Sequence, residues 1–187
     1  MDKPPYLLIG CLMLVNIVVV PWSSAASGDR FTDIAQKAHT QYTSAQEEWQ
    51  RGLAALVIRT HPEFAAVALA QRNLQLAYIE TRTARFDYLL EHDPSRIMLA
   101  NGLSRFSNFE WSDDDNKALM DADPSYAALE RRVAGLRSKS DQQPDWPRFR
   151  EFFRKTLSKS HEYQVLLTEL LSRTKQVEAL LQSYEAK

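Results

Sequence analysis

The sequence predicts an all-α protein: an antiparallel helical bundle of three long helices plus a shorter helical insert, after an N-terminal signal peptide. Three observations carry this. Beyond residue 26 the chain holds 19 Leu against 5 Val and 4 Ile, and leucine suits helices where β-branched residues suit strands. Glycine in that part is confined to Gly28, Gly52, Gly102 and Gly135. Apolar residues recur at three- and four-residue steps over long stretches, and no run alternates apolar and polar over the length of a strand.

The N-terminus has the order of a secretory signal. Met1 to Pro5 is short and polar, Tyr6 to Val20 is apolar apart from Asn16, and Pro21 precedes Trp22, Ser23, Ser24, Ala25 and Ala26. Ser24 and Ala26 occupy the small positions before a cut. Cleavage is therefore expected after Ala26, with Ala25 as the alternative, leaving 27–187 as a single bundle domain. Pro21 disfavours a helical predecessor and leaves an extended strip for the peptidase. An uncleaved membrane anchor is the rival, but a span needs about 20 apolar residues, and this run is shorter and stops at a proline. Leu8-Ile9-Gly10-Cys11 looks like a lipobox, yet lipidation there would leave Leu12 to Val20 as an exposed apolar tail. Cys11 is the only cysteine, so the mature chain has no disulfide, thiolate nucleophile or zinc–cysteine site. With no Asn-x-Ser/Thr sequon either, the expected location is the periplasm or secreted, with membrane anchoring as the alternative and no span after cleavage.

The elements follow in order. A first helix is expected from Asp29 to Arg59, with Phe31, Ala35, Ala38, Tyr42, Ala45, Trp49, Gly52 and Leu56 along one seam. Thr60-His61-Pro62-Glu63 reads as a capping box that starts a second helix running to Glu91. The short join implies an antiparallel hairpin or a kinked rod. Asp93 is expected to cap a short helix through Ile97 and Leu99, which Asn101-Gly102 breaks. Residues 103–123 read as comparatively irregular, with Ser112 capping a turn over Asp113 to Met120. Asp123-Pro124 starts a helix to Lys139, because aspartate then proline is an N-cap followed by the first helical position. Ser140 to Asp145 reads as a polar linker. A last helix is expected from Trp146 to Tyr184, its seam running through Phe149, Phe153, Thr156, Ser160, Tyr163, Leu167, Leu170, Thr174, Val177, Leu181 and Tyr184.

Motif chemistry is sparse. None of His39, His61, His92 and His161 has a second histidine or acid three or four residues on, so no helical metal pair is preformed. The Glu-x-x-His repeats of a di-iron bundle are missing, and so are nucleotide-loop and nucleophile-elbow motifs. No cofactor and no metal are expected. Asp113-Asp114-Asp115 reads as helix capping, where the dipole favours acids, ahead of cation binding. The basic residues Arg131, Arg132, Arg137, Lys139 and Arg148, Arg150, Arg154, Lys155, Lys159 read as a solvated face that partly complements the acidic segment at 110–123. The aromatics among them, Trp146, Phe149, Phe152 and Phe153, belong to the seam. A net charge of −1 and the exported location argue against nucleic acid.

The feature with functional content is a polar seam. Gln71, Gln75, Tyr78 and Arg82 share a face of the second helix, within the arc that holds Phe64, Val67 and Leu89. Buried polar groups cost free energy unless paired. These residues either pair and fix register, face solvent in a loose groove, or line a ligand cavity between helices. Three functions follow. The first is non-enzymatic binding, to a partner protein or by self-association. The second is a small-ligand carrier or sensor in which Gln75 and Arg82 orient a polar or anionic group and Tyr78 stacks on it. The third is an enzyme without a recognised motif, which would need a deep pocket with converging carboxylates or histidines.

Overall fold

The computed structural model describes residues 23–185, and every regular element among them is helical. The h-region and its proline lie outside the described residues. Residues 23–26 form the first turn of a helix. No described helix is long and apolar enough to cross a membrane.

Helix α1 (Ser23–Thr60) and helix α2 (Ala65–His92) are joined through the single turn Pro62–Phe64. They run in opposite directions: His39 in the first half of α1 stacks on Phe86 near the end of α2. Leu56 and Val57 share a core cluster with Phe64 and Val67 at the other end. The α1 seam faces inward as the spacing predicts, with Ala35, Ala38, Ala45 and Leu56 buried. Its alanines let neighbouring helices approach closely. At Gly52 the approach is closest, since a Cβ there would stand 3.0 Å from Leu166 Cδ2. Helix α1 is therefore central, packed along α2 on one side and a C-terminal helix on the other.

Beyond α2 the chain makes short turns at Pro94–Arg96 and Leu99–Asn101, then α3 (Gly102–Ser107), α4 (Asp113–Ala122) and α5 (Pro124–Asp141). The expected short helix through Ile97 and Leu99 is instead two single turns with Ile97 and Met98 extended between them, and Gly102 ends the second and begins α3 at a φ of +70° that favours glycine. Ser112 caps α4 through a reciprocal box with Asp115. Asp123 caps α5 by accepting from the Ser125 N–H at 2.8 Å. Helix α5 lies against α2, also in the opposite direction: Tyr78 meets Arg137, Glu80 meets Arg132 and Arg85 meets Glu130.

Four local expectations are corrected. Thr60 is not an N-cap. It stays in the last turn of α1, where its hydroxyl donates to the Leu56 carbonyl at 2.8 Å, and α2 starts without a side-chain cap. Asp93 makes no capping bond to the backbone and instead accepts from the Ser95 hydroxyl at 2.6 Å. Residues 103–123 are mostly helical rather than irregular. The expected last helix is two: α6 (Trp146–Lys155) and α7 (His161–Glu185), separated by the turn Leu157–Lys159. Ser160 explains the break, since its extended backbone (ψ 148°) leaves the helix and its hydroxyl accepts from the Tyr163 N–H at 3.2 Å. Thr156 and Ser160, read as polar members of a seam, are the joint itself.

Two main cores result. One gathers Ala35, Ala38, Phe86, Leu89, Val177 and Leu181 around the turns after α2. The other gathers Leu56, Val57, Phe64, Val67, Phe149 and Leu157, beneath the partly buried rings of α6. A smaller cluster of Leu74, Ala77 and Val133 holds α5 to α2. The basic stretches do not pair with the acidic segment: Arg132 meets Glu80, Arg148 meets Asp145 and Lys155 meets Glu151. Among the described residues, the acidic segment is held by Arg96, which grips Asp115 through both carboxylate oxygens at 3.0 and 2.8 Å.

Candidate functional site

Between α1, α2 and α5 lies a cleft of about 410 Å³. Its α2 wall carries Gln75, Tyr78, Ile79, Thr81, Arg82 and Arg85. Three of the four polar-seam residues therefore border one cavity. The fourth, Gln71, borders an adjoining cavity of about 330 Å³ that Gln75 also lines. The seam side chains are half-buried, and no buried side-chain polar atom among the described residues lacks a hydrogen-bond partner. The desolvation penalty that would threaten a polar seam in a closed core is avoided because the seam opens onto a cleft.

The opposite walls come from elements that the seam reading did not include. Helix α1 supplies Tyr42, Thr43, Gln46 and Gln50, and α5 supplies Glu130, Val133 and Arg137. Gln46 and Gln50 stand one turn apart, flanking the α1 seam, and that i, i+4 pair was their only sequence signal. Arg137 appeared in the sequence as one member of a basic face. Only the packing of α5 on α2 brings it over Tyr78, where its Nε donates to the phenol oxygen at 2.8 Å and its guanidinium stands 5.6 Å from the ring centroid.

The cleft divides into committed and uncommitted polar groups. Arg85 is committed. Its Nε donates to the Tyr126 hydroxyl at 2.8 Å and its Nη2 donates to Glu130 at 2.9 Å, and it lies over the Trp111 ring at 5.4 Å. The Tyr126 hydroxyl stands 2.7 Å from Glu130 Oε1 and 2.5 Å from Asn116 Oδ1, and its single proton serves one of them at a time. Burial pushes the Tyr126 phenol up to about 12, so it stays protonated. Arg82 is less engaged, with one 3.4 Å bond to Asn108. Among the described residues, neither Arg82 nor Arg137 pairs with a carboxylate, and the Gln46, Gln50, Gln71 and Gln75 amides make no side-chain hydrogen bond to the protein.

Behind Arg82 sits His39, 5% exposed and stacked on Phe86 at 3.9 Å between centroids. Burial first, and the Arg82 charge second, lower its pKa to about 4. Its Nε2 lies 3.3 Å from the Thr83 hydroxyl, which spends its own proton on the Ile79 carbonyl. The neutral ring therefore carries its proton on Nε2.

The lining holds three arginines against one carboxylate, Glu130, which Arg85 already engages. Chemically this arrangement can attract an anion, donate to it from guanidinium and amide groups, and stack a planar group on Tyr42 or Tyr78. The converging carboxylates or histidines that an enzymatic reading calls for are not among the residues lining it. No protein-family description, curated protein or solved structure matches the chain.

Proposed function

We propose that this protein is an exported, non-enzymatic binding protein of the periplasm that holds a small anionic ligand in the cleft between α1, α2 and α5. In this reading 1–26 is a cleaved signal, and 27–187 is one domain, an antiparallel bundle of long helices with the shorter helices 94–141 as its insert. The observation that carries the ligand is the uncommitted polar set. Arg82 and Arg137 without carboxylate partners, beside the free amides of Gln46, Gln50 and Gln75, give one cleft a surplus of positive charge and donors. Gln75 and Arg82 orient the anionic group, and Tyr78, braced by Arg137, supplies the flat wall.

Thermal melts with acetate and with inorganic phosphate, at constant ionic strength, test the site. Either anion is expected to raise the melting temperature of the wild type, and Arg82→Ala and Gln75→Ala to abolish the rise. An equal rise in both variants would show that the anion binds elsewhere. Export is tested by the intact mass from the periplasm, expected to match residues 27–187.

A second reading, binding of a partner protein or of another copy, has its own observation. Val165 and Leu171 on α7 are 52% and 51% exposed, and Val165 borders a groove together with Gly52, Ala55, Leu56 and Leu166. Isolated exposed apolar residues are ordinary, so this face ranks behind the cleft. Sedimentation of wild type against Val165→Lys with Leu171→Lys decides it: an association that the double variant retains removes this surface.

A further inference from the structure

The polar cleft adjoins the aromatic cavity, and their adjacency bears on the ligand's chemistry. We infer that the ligand is an anionic amphiphile, its acidic head held by Arg82 and Arg137 and its apolar body lying between α1, α2 and α6. This rests on the reading of the cleft as a ligand site and adds the class of ligand.

The two cavities share Gln50 and Gln75 as a common wall. The order of residues is the same along both helices. On α2, Ala68 and Gln71 border the aromatic cavity, Gln75 borders both, and Tyr78 and Arg82 border the polar one. On α1, Leu53 and Val57 border the aromatic cavity, Gln50 both, and Gln46 and Tyr42 the polar one. Because α1 and α2 run in opposite directions, these series lie side by side, and the two cavities adjoin along one line. From Gln71 to Arg82 it extends about 16 Å along α2, at about 1.5 Å per residue.

The apolar half is built to keep its shape. Trp146 is anchored by its Nε1–H, which donates to the Ser140 carbonyl at 2.5 Å. Trp49 and Phe153 meet Tyr163 edge-on, at 5.5 and 5.4 Å between centroids. The small side chains of Ala54 and Ala68 leave the room that these rings enclose. Preformed cavities lined by aromatic and aliphatic groups, with a few placed polar groups at one end, are the usual form of sites for small amphiphilic molecules. The charge argues for the sign of the head. Three arginines face one glutamate at the polar end, whereas the one charged residue lining the aromatic end, Arg72, donates to Asn73 Oδ1 at 3.2 and 2.9 Å.

The test is an amide-NMR titration of the folded protein with three probes, the two amphiphiles kept below their micelle concentrations. Decanoate carries head and body, acetate the head alone, and decyl glucoside the same body with an uncharged head. Decanoate is expected to bind at least tenfold tighter than either of the others. Arg82→Gln should bring decanoate down to the level of decyl glucoside and leave decyl glucoside unchanged. Leu53→Gln, at a half-buried position that tolerates a polar group, should bring decanoate down to the level of acetate and leave acetate unchanged. Decanoate binding no tighter than acetate, with both dependent on Arg82, overturns the amphiphile and leaves the anion site standing. If no anion depends on Arg82, both readings fall.

Discussion

Arg82 and Arg85 stand three residues apart on α2 and border the same cleft, yet they have opposite fates. Arg85 meets Tyr126 and Glu130 of α5 and Asn116 of α4, and covers Trp111, so its donors are used in joining three helices. Arg82 borders the cleft with one long bond, to Asn108. The difference lies in what stands opposite. Where α5 presents Glu130 and Tyr126, a polar residue on α2 becomes a fastening. Where α1 presents glutamines with no other partner, it remains available. The α2 wall of the cleft is thus two things at once, a lock at Arg85 and a receptor surface from Gln75 to Arg82.

The comparison can be broken at several strengths. The strongest change removes the packing behind the lock. Phe86 is fully buried between His39, Phe106 and Phe109. Phe86→Ala is expected to lower the unfolding free energy in urea by about 3–5 kcal/mol. A loss under about 1 kcal/mol would mean that this core is not closed.

Next comes acid. His39 titrates at about 4 in the fold against 6.5 in the unfolded chain, so below pH 6.5 the unfolded chain takes up the proton first. Stability from this group is complete above pH 6.5 and is lost as pH falls through 4. At about 1.4 kcal/mol per pH unit the loss amounts to about 3 kcal/mol. His39→Phe keeps a ring on Phe86 and should flatten the urea-midpoint profile across that window. An unchanged profile would place the titration elsewhere.

Arg85→Ala should cost about 2–3 kcal/mol, because it leaves the half-buried Glu130 without its cation and the Tyr126 hydroxyl without its donor. Asp115→Asn removes the two-pronged grip on Arg96 and weakens the cap of α4, for about 1–2 kcal/mol at neutral pH. Arg96 holds the Asp115 carboxyl far below the usual carboxylate range. Its contribution is therefore present above about pH 4 and fades below it, where the variant should converge on the wild type. The smallest effect on stability sharpens the comparison most. Arg82→Ala should change stability by less than about 0.5 kcal/mol while abolishing anion binding, the reverse of Arg85→Ala relative to its neighbours. A large loss of stability in Arg82→Ala would make it a second lock.

Legibility in the sequence follows the range of the interaction. The caps at Ser112 and Asp123 were readable because a cap joins residues two or three apart. The box at Thr60 was misread by the same local logic: α1 continued through Thr60, and a threonine inside a helix turns its hydroxyl back to the carbonyl four residues before it. The break between α6 and α7 was hidden because the three- and four-residue spacing runs on through Thr156 and Ser160, so a joint and a polar seam position look alike. Of the cleft, Gln75, Tyr78 and Arg82 were legible as polar residues on a face that also carries apolar ones. Gln46, Gln50, Glu130 and Arg137 were not, because each sits on the flank of a helix and gains meaning only from the helix opposite.

The sequence by itself determined the helical class, the starts of α4, α5 and α6 and the inward face of α1, because propensity, capping and periodicity act within a few residues along the chain. The tertiary structure alone decided that α5 lies on α2, that Arg85 is satisfied while Arg82 is not, and that a polar cleft adjoins an aromatic one. Those outcomes depend on pairings between residues 40 and more apart, which no local spacing encodes and which only the packing of one helix on another brings within a bond's length.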